Sequence, residues 1–418
     1  MFRLRGSISR LPRPPHPALS HRSHLRRQFS ELAPPGPLTR FTEEEEAVRD
    51  MVSKWCSTEL APHVRSMDQE KKMMPSVLTS MFEHGIMGME IPAEFGGSEM
   101  SFTSACLAVE EVAKCDASFA ILVDIQNTLT NNAIRFWGSR ALQEKWLPRL
   151  ATDTVSSFCL SEAGSGSDAF SMSTTALPNS DGTKYVINGE KLWISNSAEA
   201  GVFLVFANAH PDRGYKGITA FVVDATLPGV TVGKKEDKLG LRASSTCPVV
   251  FEDVTVTDED VLGTVGHGYK YAIGILNEGR IGIGAQQVGI AKGCFEATMP
   301  YLNERKQFGK RLSDFQMMQG QYAQLATEIH AAELMVYNAC RLKEAGLPFV
   351  KEAAMAKLYT SQVSEKVASK SIEMLGGVGF TTEYPVEKFY RDCKVGSIYE
   401  GTSNIQLQTI AKLIQAEF

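Results

Sequence analysis

The chain carries 43 basic against 48 acidic residues over 418 positions, with 43% hydrophobic residues and a net charge of −5. That length exceeds one ordinary core and asks for two or three packed units. The acidic balance argues against a nucleic-acid partner. The longest strongly apolar stretches, such as Gly201 to Ala207, fall far short of the roughly 18–20 residues of a membrane helix, so no membrane span is expected.

Residues 1–29 differ from the rest: they hold seven arginines (Arg3, Arg5, Arg10, Arg13, Arg22, Arg26 and Arg27), several Ser and His, and no acid. That is the composition of a mitochondrial transit peptide, and Arg27-Gln28-Phe29-Ser30 resembles a matrix-protease site. The competing reading is a basic arm for an anionic surface. The abrupt switch at Glu31 favours import. Removal of 1–29 leaves 36 basic residues against 48 acidic, a net charge of −12. The cysteines, at 56, 106, 115, 159, 247, 294, 340 and 393, form no C-x-x-C pair and read as reduced thiols, not zinc ligands or disulfides.

From 42 to about 150 the chain reads as helical. Thr42 with Glu45 forms a capping-box pattern, followed by Ala47, Val48, Met51, Val52 and Trp55 at helical spacing. Pro92 and Gly96-Gly97 break the pattern, which returns through Ala105–Lys114 and Ala117–Trp137. Near Val155 the character changes to short β-rich runs: Lys184–Asn188, Val202–Ala207, Ile218–Val223 and Val249–Val256. Asn188-Gly189 and Pro228-Gly229 are turn pairs between such runs, and the segment predicts antiparallel strands. From Gly268 onward, Tyr269–Met299, Phe315–Ala345, Lys351–Met374 and Asn404–Ala416 predict four antiparallel helices. The expected organisation is an α+β chain: a helical domain at 30–153, a β domain at 154–265 and a four-helix bundle at 266–418.

Three segments carry polar chemistry. Leu160-Ser161-Glu162-Ala163-Gly164-Ser165-Gly166-Ser167-Asp168 is glycine-rich beside a β-run, where backbone N–H groups can approach a phosphate or a flat ring. Taken alone it reads as a surface turn, since a dinucleotide fingerprint would need a third glycine and a βαβ unit. In Trp193-Ile194-Ser195 the strand period turns an indole and a hydroxyl to one side, though a lone Trp is usually a core residue. Glu400, between apolar residues and Gly401, could be desolvated by a ligand and become a stronger base. On its own it reads rather as a solvated Glu before a helix capped by Thr402 or Ser403.

These segments, with Arg305-Lys306-Gln307-Phe308-Gly309, Met374-Leu375-Gly376-Gly377 and Ile398–Asn404, occur in the order seen in acyl-CoA dehydrogenases. Over residues 40–418 the chain resembles that family. Leu239–Pro248, Gly266–Ala272 and Leu276–Ile283 are similar to its short/branched-chain, 2-methylbutyryl-CoA branch. The resemblance implies the acyl-CoA dehydrogenase fold with FAD as cofactor. It implies oxidation of an acyl-CoA to the trans-2-enoyl-CoA, with electrons passed to electron-transfer flavoprotein, in a mitochondrial-matrix homotetramer. Glu400 is then the base that takes the α-proton. Leu160 to Asp168 with Trp193, Ile194 and Ser195 hold the flavin. Arg305, Gln316, Glu373, Met374, Leu375, Gly376 and Gly377 reach its diphosphate and adenine end across a subunit boundary, and Thr402, Ser403 and Asn404 close the site. Ala169, Tyr215, Tyr269, Asn277, Glu278, Gly279, Arg280 and Gly401 line the acyl-CoA channel. Two departures stand out: Ala169 occupies a position where the family usually has Ser, and Gly279 occupies the position of the isovaleryl-type base. Butyryl- or isobutyryl-CoA as substrate, an enoyl-CoA reductase running the same site backwards, and a flavin-free scaffold remain as alternatives.

Overall fold

The computed structural model describes residues 36–418; the transit-peptide expectation over 1–29 lies outside the described residues. Phe41–Phe418 pack as one unit. The first helices are α1 (Glu43–Trp55), α2 (Val64–Glu70), α3 (Pro75–Glu83) and α4 (Phe102–Cys115). After them come α5 (Ala117–Asp124), α6 (Asn132–Trp137) and α7 (Arg140–Thr152). α1 starts where the Thr42 hydroxyl accepts from the Glu45 N–H at 3.2 Å, while the Glu45 carboxylate accepts from the Thr42 N–H at 2.9 Å. The expected helix at 117–137 is interrupted by a π-helical stretch, Ile125–Asn131, which joins α5 to α6.

The sheet has eight strands: β1 (Val155–Cys159), β2 (Thr175–Pro178), β3 (Lys184–Ser195), β4 (Ala200–Asn208), β5 (Ile218–Asp224), β6 (Val230–Val232), β7 (Thr246–Thr257) and β8 (Val261–Leu262). Their order is β6-β7-β3-β2-β4-β5-β8, with β1 beside β4. The sheet is mixed, because β1 runs parallel to β4 while the β3–β7 and β4–β5 ladders are antiparallel. Phe203, Val205, Phe221, Val249, Phe251 and Val254 fill its inner face. Pro228-Gly229 turns as expected, with Gly229 at φ 88°. Asn188-Gly189 does not: it lies inside the long strand β3, where the register with β7 shifts between Ile187 and Gly189. Gly189 is needed there because a Cβ would overlap Thr174, so the pair marks a bulge instead of a turn.

Beyond the sheet run α8 (Gly268–Glu304), a two-stranded ribbon β9 (Lys306–Gln307) and β10 (Lys310–Arg311), α9 (Gln316–Glu344), α10 (Val350–Leu375), α11 (Val386–Cys393) and α12 (Ser403–Glu417). All four expected helices form, and the short amphipathic α11 is additional. α8, 37 residues long and thus about 55 Å, is the central post. It packs on α4 on one side and on α9 and α10 on the other. At Gly289 and Gly293 a Cβ would overlap the backbone carbonyls of Glu110 and Lys114 on α4, so these two helices meet backbone to backbone.

Candidate active site

α12 begins where Thr402 caps it, the hydroxyl accepting from the Ile405 N–H at 3.4 Å. Just before the cap, Glu400 (φ 53°) and Gly401 (φ 87°) are both left-handed. For Glu400 that conformation costs roughly 1–2 kcal/mol, and two buried side chains hold it. Gln406 donates from Nε2 to the carbonyls of Glu400 (3.1 Å) and Gly401 (2.9 Å). Lys357, on α10, donates from Nζ to the Gly401 carbonyl at 2.7 Å. A Cβ at Gly401 would lie 2.7 Å from Gln406 Nε2, so the turn requires glycine there.

The turn aims the Glu400 carboxyl at α8, against the notch left by Gly279, where a Cβ would overlap Oε1. Oε1 is buried and has no hydrogen-bond partner among the described residues. Burial raises this carboxyl to about 7, against the opposing charges of Arg280 and Lys357. The Glu400 backbone N–H also donates to no partner among the described residues. One helical turn further along α8, the Asp124 carboxyl fills the notch at Gly282 and accepts from Thr128 Oγ1 at 2.9 Å. Burial, and then the nearby Glu400, push Asp124 well above the usual carboxylate range. Two carboxyls thus occupy consecutive notches of one helix face: burial disfavours the charged form of both, and Glu400, at about 7, is poised between its two forms.

Tyr269, Ile273, Asn277 and Arg280 follow one another along the same face of α8. At the Tyr269 end lies a cavity of about 720 Å³ lined by Asp168, Phe170, Tyr215, Tyr269 and Ile273, among others. Tyr215 and Phe170 meet Tyr269 edge-on, with ring centres 5.1 and 6.4 Å away. Glu400 does not line the cavity. From Tyr269 to Arg280 the face climbs about 16 Å, so a ligand seated in the cavity and reaching the base must be long and thin. Asn277 is buried and accepts from Arg280 Nη1 at 2.9 Å; Arg280 Nε is buried without a partner among the described residues.

The glycine-rich segment forms a tight turn closed by reciprocal backbone bonds between Glu162 and Ser165 (3.0 and 3.1 Å). Ala163, Gly164, Gly166, Ser167 and Asp168 are exposed, and nothing crowds the two glycines. The Glu162 side chain serves the fold: it is buried, ion-paired to the fully buried Lys191 at 2.8 Å, and accepts from Ser173 and Thr174. Burial opposes its ionisation, but Lys191 and these hydrogen bonds outweigh burial and hold it at about 2. The turn is tied to β3 by the Leu192 N–H, which donates to the Ser161 carbonyl at 2.9 Å. Next to it Trp193 is left-handed (φ 63°) and 63% exposed, beside buried Ile194 and half-buried Ser195. An uncovered indole beside a polar turn with open glycines fits a flat cofactor ring with a polar edge.

Arg305 and Gln316 are exposed, as are Glu373, Gly376 and Gly377, whereas Met374 and Leu375 are buried. Phe308 (94% exposed), Met317 (80%) and Phe380 (87%) stand beside them. Glu278 departs from expectation. One position round the helix from Gly279, its carboxylate accepts from Asn132 at 2.9 Å and pairs with Lys343 at 3.3 Å, so it faces away from the base. Sequence reasoning passed over Asp124, Lys357 and Gln406. A signal existed for the first two: each is the one charged residue among the buried positions of its helix, which are otherwise apolar or small.

Residues 42–154 match "Acyl-CoA dehydrogenase, N-terminal domain", 157–254 the middle domain and 266–415 the C-terminal domain of the same family. The chain is 53% identical to the short/branched chain specific acyl-CoA dehydrogenase, mitochondrial, of Bos taurus, over 97% of this chain and 94% of that one. The butyryl-CoA dehydrogenase of Megasphaera elsdenii shares the fold with a TM-score of 0.88 at 36% identity, covering 90% of this chain and 99% of that one. The same figures hold for a chain solved in work on the electron transferring flavoprotein of Acidaminococcus fermentans.

Proposed function

This chain belongs to the acyl-CoA dehydrogenase family, and from that premise we propose that Glu400 is the catalytic base of its reaction. The reaction is the FAD-dependent α,β-dehydrogenation of a short or 2-methyl-branched acyl-CoA to the trans-2-enoyl-CoA. Electron-transfer flavoprotein is the electron acceptor. The protein is mitochondrial, and the acid-free segment 1–29 supports a matrix address.

The observation that carries the assignment is the Glu400 carboxyl itself: desolvated, unpartnered at Oε1 and held near neutrality in its titration. A thioester α-carbon is a weak acid, and a carboxylate stripped of water is a better match for it than a solvated one. The free Glu400 N–H adds a donor for the thioester oxygen as negative charge develops there. Arg280 and Lys357 keep the carboxyl ionisable, so that it enters the reaction as the base. The aromatic mouth at Phe170, Tyr215 and Tyr269 receives the CoA part, and Asn277, Gly279 and Arg280 line the way to the base. Leu160, Ser161, Ala163 to Asp168, Trp193 and Ser195 would hold FAD, with Glu162 contributing its backbone; Thr402 to Asn404 close over it. FAD held there would supply the two-electron oxidation, as the acceptor for the β-hydrogen.

The strongly exposed Phe308, Met317 and Phe380 beside Arg305, Gln316 and Gly376 support a homotetramer in which these residues complete a neighbour's FAD site. Segments 30–153, 154–265 and 266–418 are its three domains. A turnover survey over butyryl-, isobutyryl-, 2-methylbutyryl- and isovaleryl-CoA tests the substrate class. Short and 2-methyl-branched esters should outrank isovaleryl-CoA, because Gly279 replaces the isovaleryl-type base; a preference for isovaleryl-CoA overturns this reading.

A further inference from the structure

Lys357 is fully buried, yet among the described residues its ammonium makes one hydrogen bond, to the Gly401 carbonyl. A lone carbonyl is poor compensation for burying a charge. The same carbonyl already accepts from Gln406 Nε2, so satisfying Gly401 does not require a cation. What a neutral side chain would not provide is the positive charge next to Glu400. The charges that bear on Lys357 are those of Glu400, from the turn before α12, and Arg280, from α8. Those that bear on Glu400 are Arg280 and Lys357. Asp124, from α5, and Tyr399, its chain neighbour, also face it; burial raises both, which keeps the Tyr399 hydroxyl protonated at pH 7 and disfavours the charged form of Asp124.

We propose that Lys357 is a positioning residue for the base: with Gln406 it locks the left-handed Glu400–Gly401 turn, and its charge keeps the Glu400 carboxyl ionisable in a site that excludes water. The proposal rests on Glu400 being the base. Burial pulls Lys357 itself down to about 8, with Glu400 resisting and Arg280 assisting, so the cation is intact at neutral pH. Division of labour follows from the geometry. Gln406 supplies aim without charge, and Lys357 supplies both.

Stopped-flow flavin reduction by acyl-CoA across pH 5–9, on holoenzymes matched for FAD content and melting temperature, separates the two contributions. Dissociation constants for the enoyl-CoA product are measured alongside. In Lys357→Met the acidic limb of the rate profile should move up by about one unit or more, the shift expected when a nearby opposite charge is lost from a desolvated carboxyl. At pH 7 that change alone removes about fivefold of the rate, while product affinity should stay within about threefold. Gln406→Leu should slow reduction with its acidic limb in the wild-type position. If Lys357→Met does not load FAD, Lys357→Gln, which keeps a neutral donor, is expected to show the same displacement. An acidic limb that coincides with wild type in the Lys357 variant overturns the proposal. Glu400→Gln separates the two claims: if it fails to reduce flavin while the Lys357 variants match wild type, only the role of Lys357 is lost. If Glu400→Gln reduces flavin normally, the base assignment falls and this proposal with it.

Discussion

Replacing Glu400 by Gln keeps the side chain's size and reach but removes both its basic lone pair and its titration. The consequences are a kinetic one and a thermodynamic one, and the second needs no substrate. With a folded-state value of about 7 against 4.5 for an ordinary Glu, the native protein binds a proton more tightly than the unfolded chain. The sign follows: wild type loses stability as pH rises through the window from about 4.5 to 7, and the difference levels off above it. At about 1.36 kcal/mol per unit the loss amounts to about 3 kcal/mol, which Glu400→Gln does not suffer. With an unfolding entropy near 0.8 kcal/mol/K for a chain of this size, the melting temperature of the variant should gain about 4 °C on wild type between pH 4.5 and 8. Differential scanning calorimetry of the two holoenzymes, matched for FAD, measures it. Flavin reduction by acyl-CoA should meanwhile fall by about 10²–10⁴-fold, the usual contribution of a positioned base. Parallel melting curves across the pH range would refute the desolvated carboxyl, and near wild-type flavin reduction would refute its role.

In Gly279→Ala the new methyl displaces the Glu400 carboxyl from its notch; stopped-flow reduction should slow about 10²-fold with FAD retained, and an unaltered rate would mean the notch does not aim the base. Lys191→Met leaves the Glu162 carboxylate buried without its partner, a loss of about 3–5 kcal/mol that a thermal melt should register as a drop of about 4–6 °C; an unchanged melt counts against that ion pair. Arg305→Ala should lower both flavin content and assembly, read from flavin absorbance and light scattering together. A stable monomer with full FAD would end the cross-subunit reading.

Where local physics dominates, the sequence was legible. The Thr42 capping box sits where its spacing placed it, and the long periodic segments became α8, α9, α10 and α12. Asn188-Gly189 misled because turn chemistry is a local signal, whereas Gly189 answers to Thr174, the residue that leads into the neighbouring strand β2. Glu400 was found by resemblance; its immediate neighbours alone do not distinguish it from a solvated Glu. The charges that keep it ionisable are those of Arg280 and Lys357, 120 and 43 positions away, and no periodicity links them. Glu278 failed for a simpler reason: one step round a helix is about 100°, enough to turn a carboxylate from the channel to Asn132.

The backbone contact between α8 and α4 at Gly289 and Gly293 bears on how such an enzyme can be recombined. A side chain introduced at either glycine meets main-chain carbonyls, which have no rotamer to retreat into. The two helices lie more than a hundred residues apart in sequence, on opposite sides of the boundaries at which a chimera would naturally be cut. Swapping 266–418 for the corresponding piece of a relative therefore transplants half of a lock whose key is encoded upstream. Asp124 at Gly282 extends the same dependence into the catalytic centre. Exchange of single pocket residues leaves that seam whole, and it is the route by which substrate preference can change without dismantling the base.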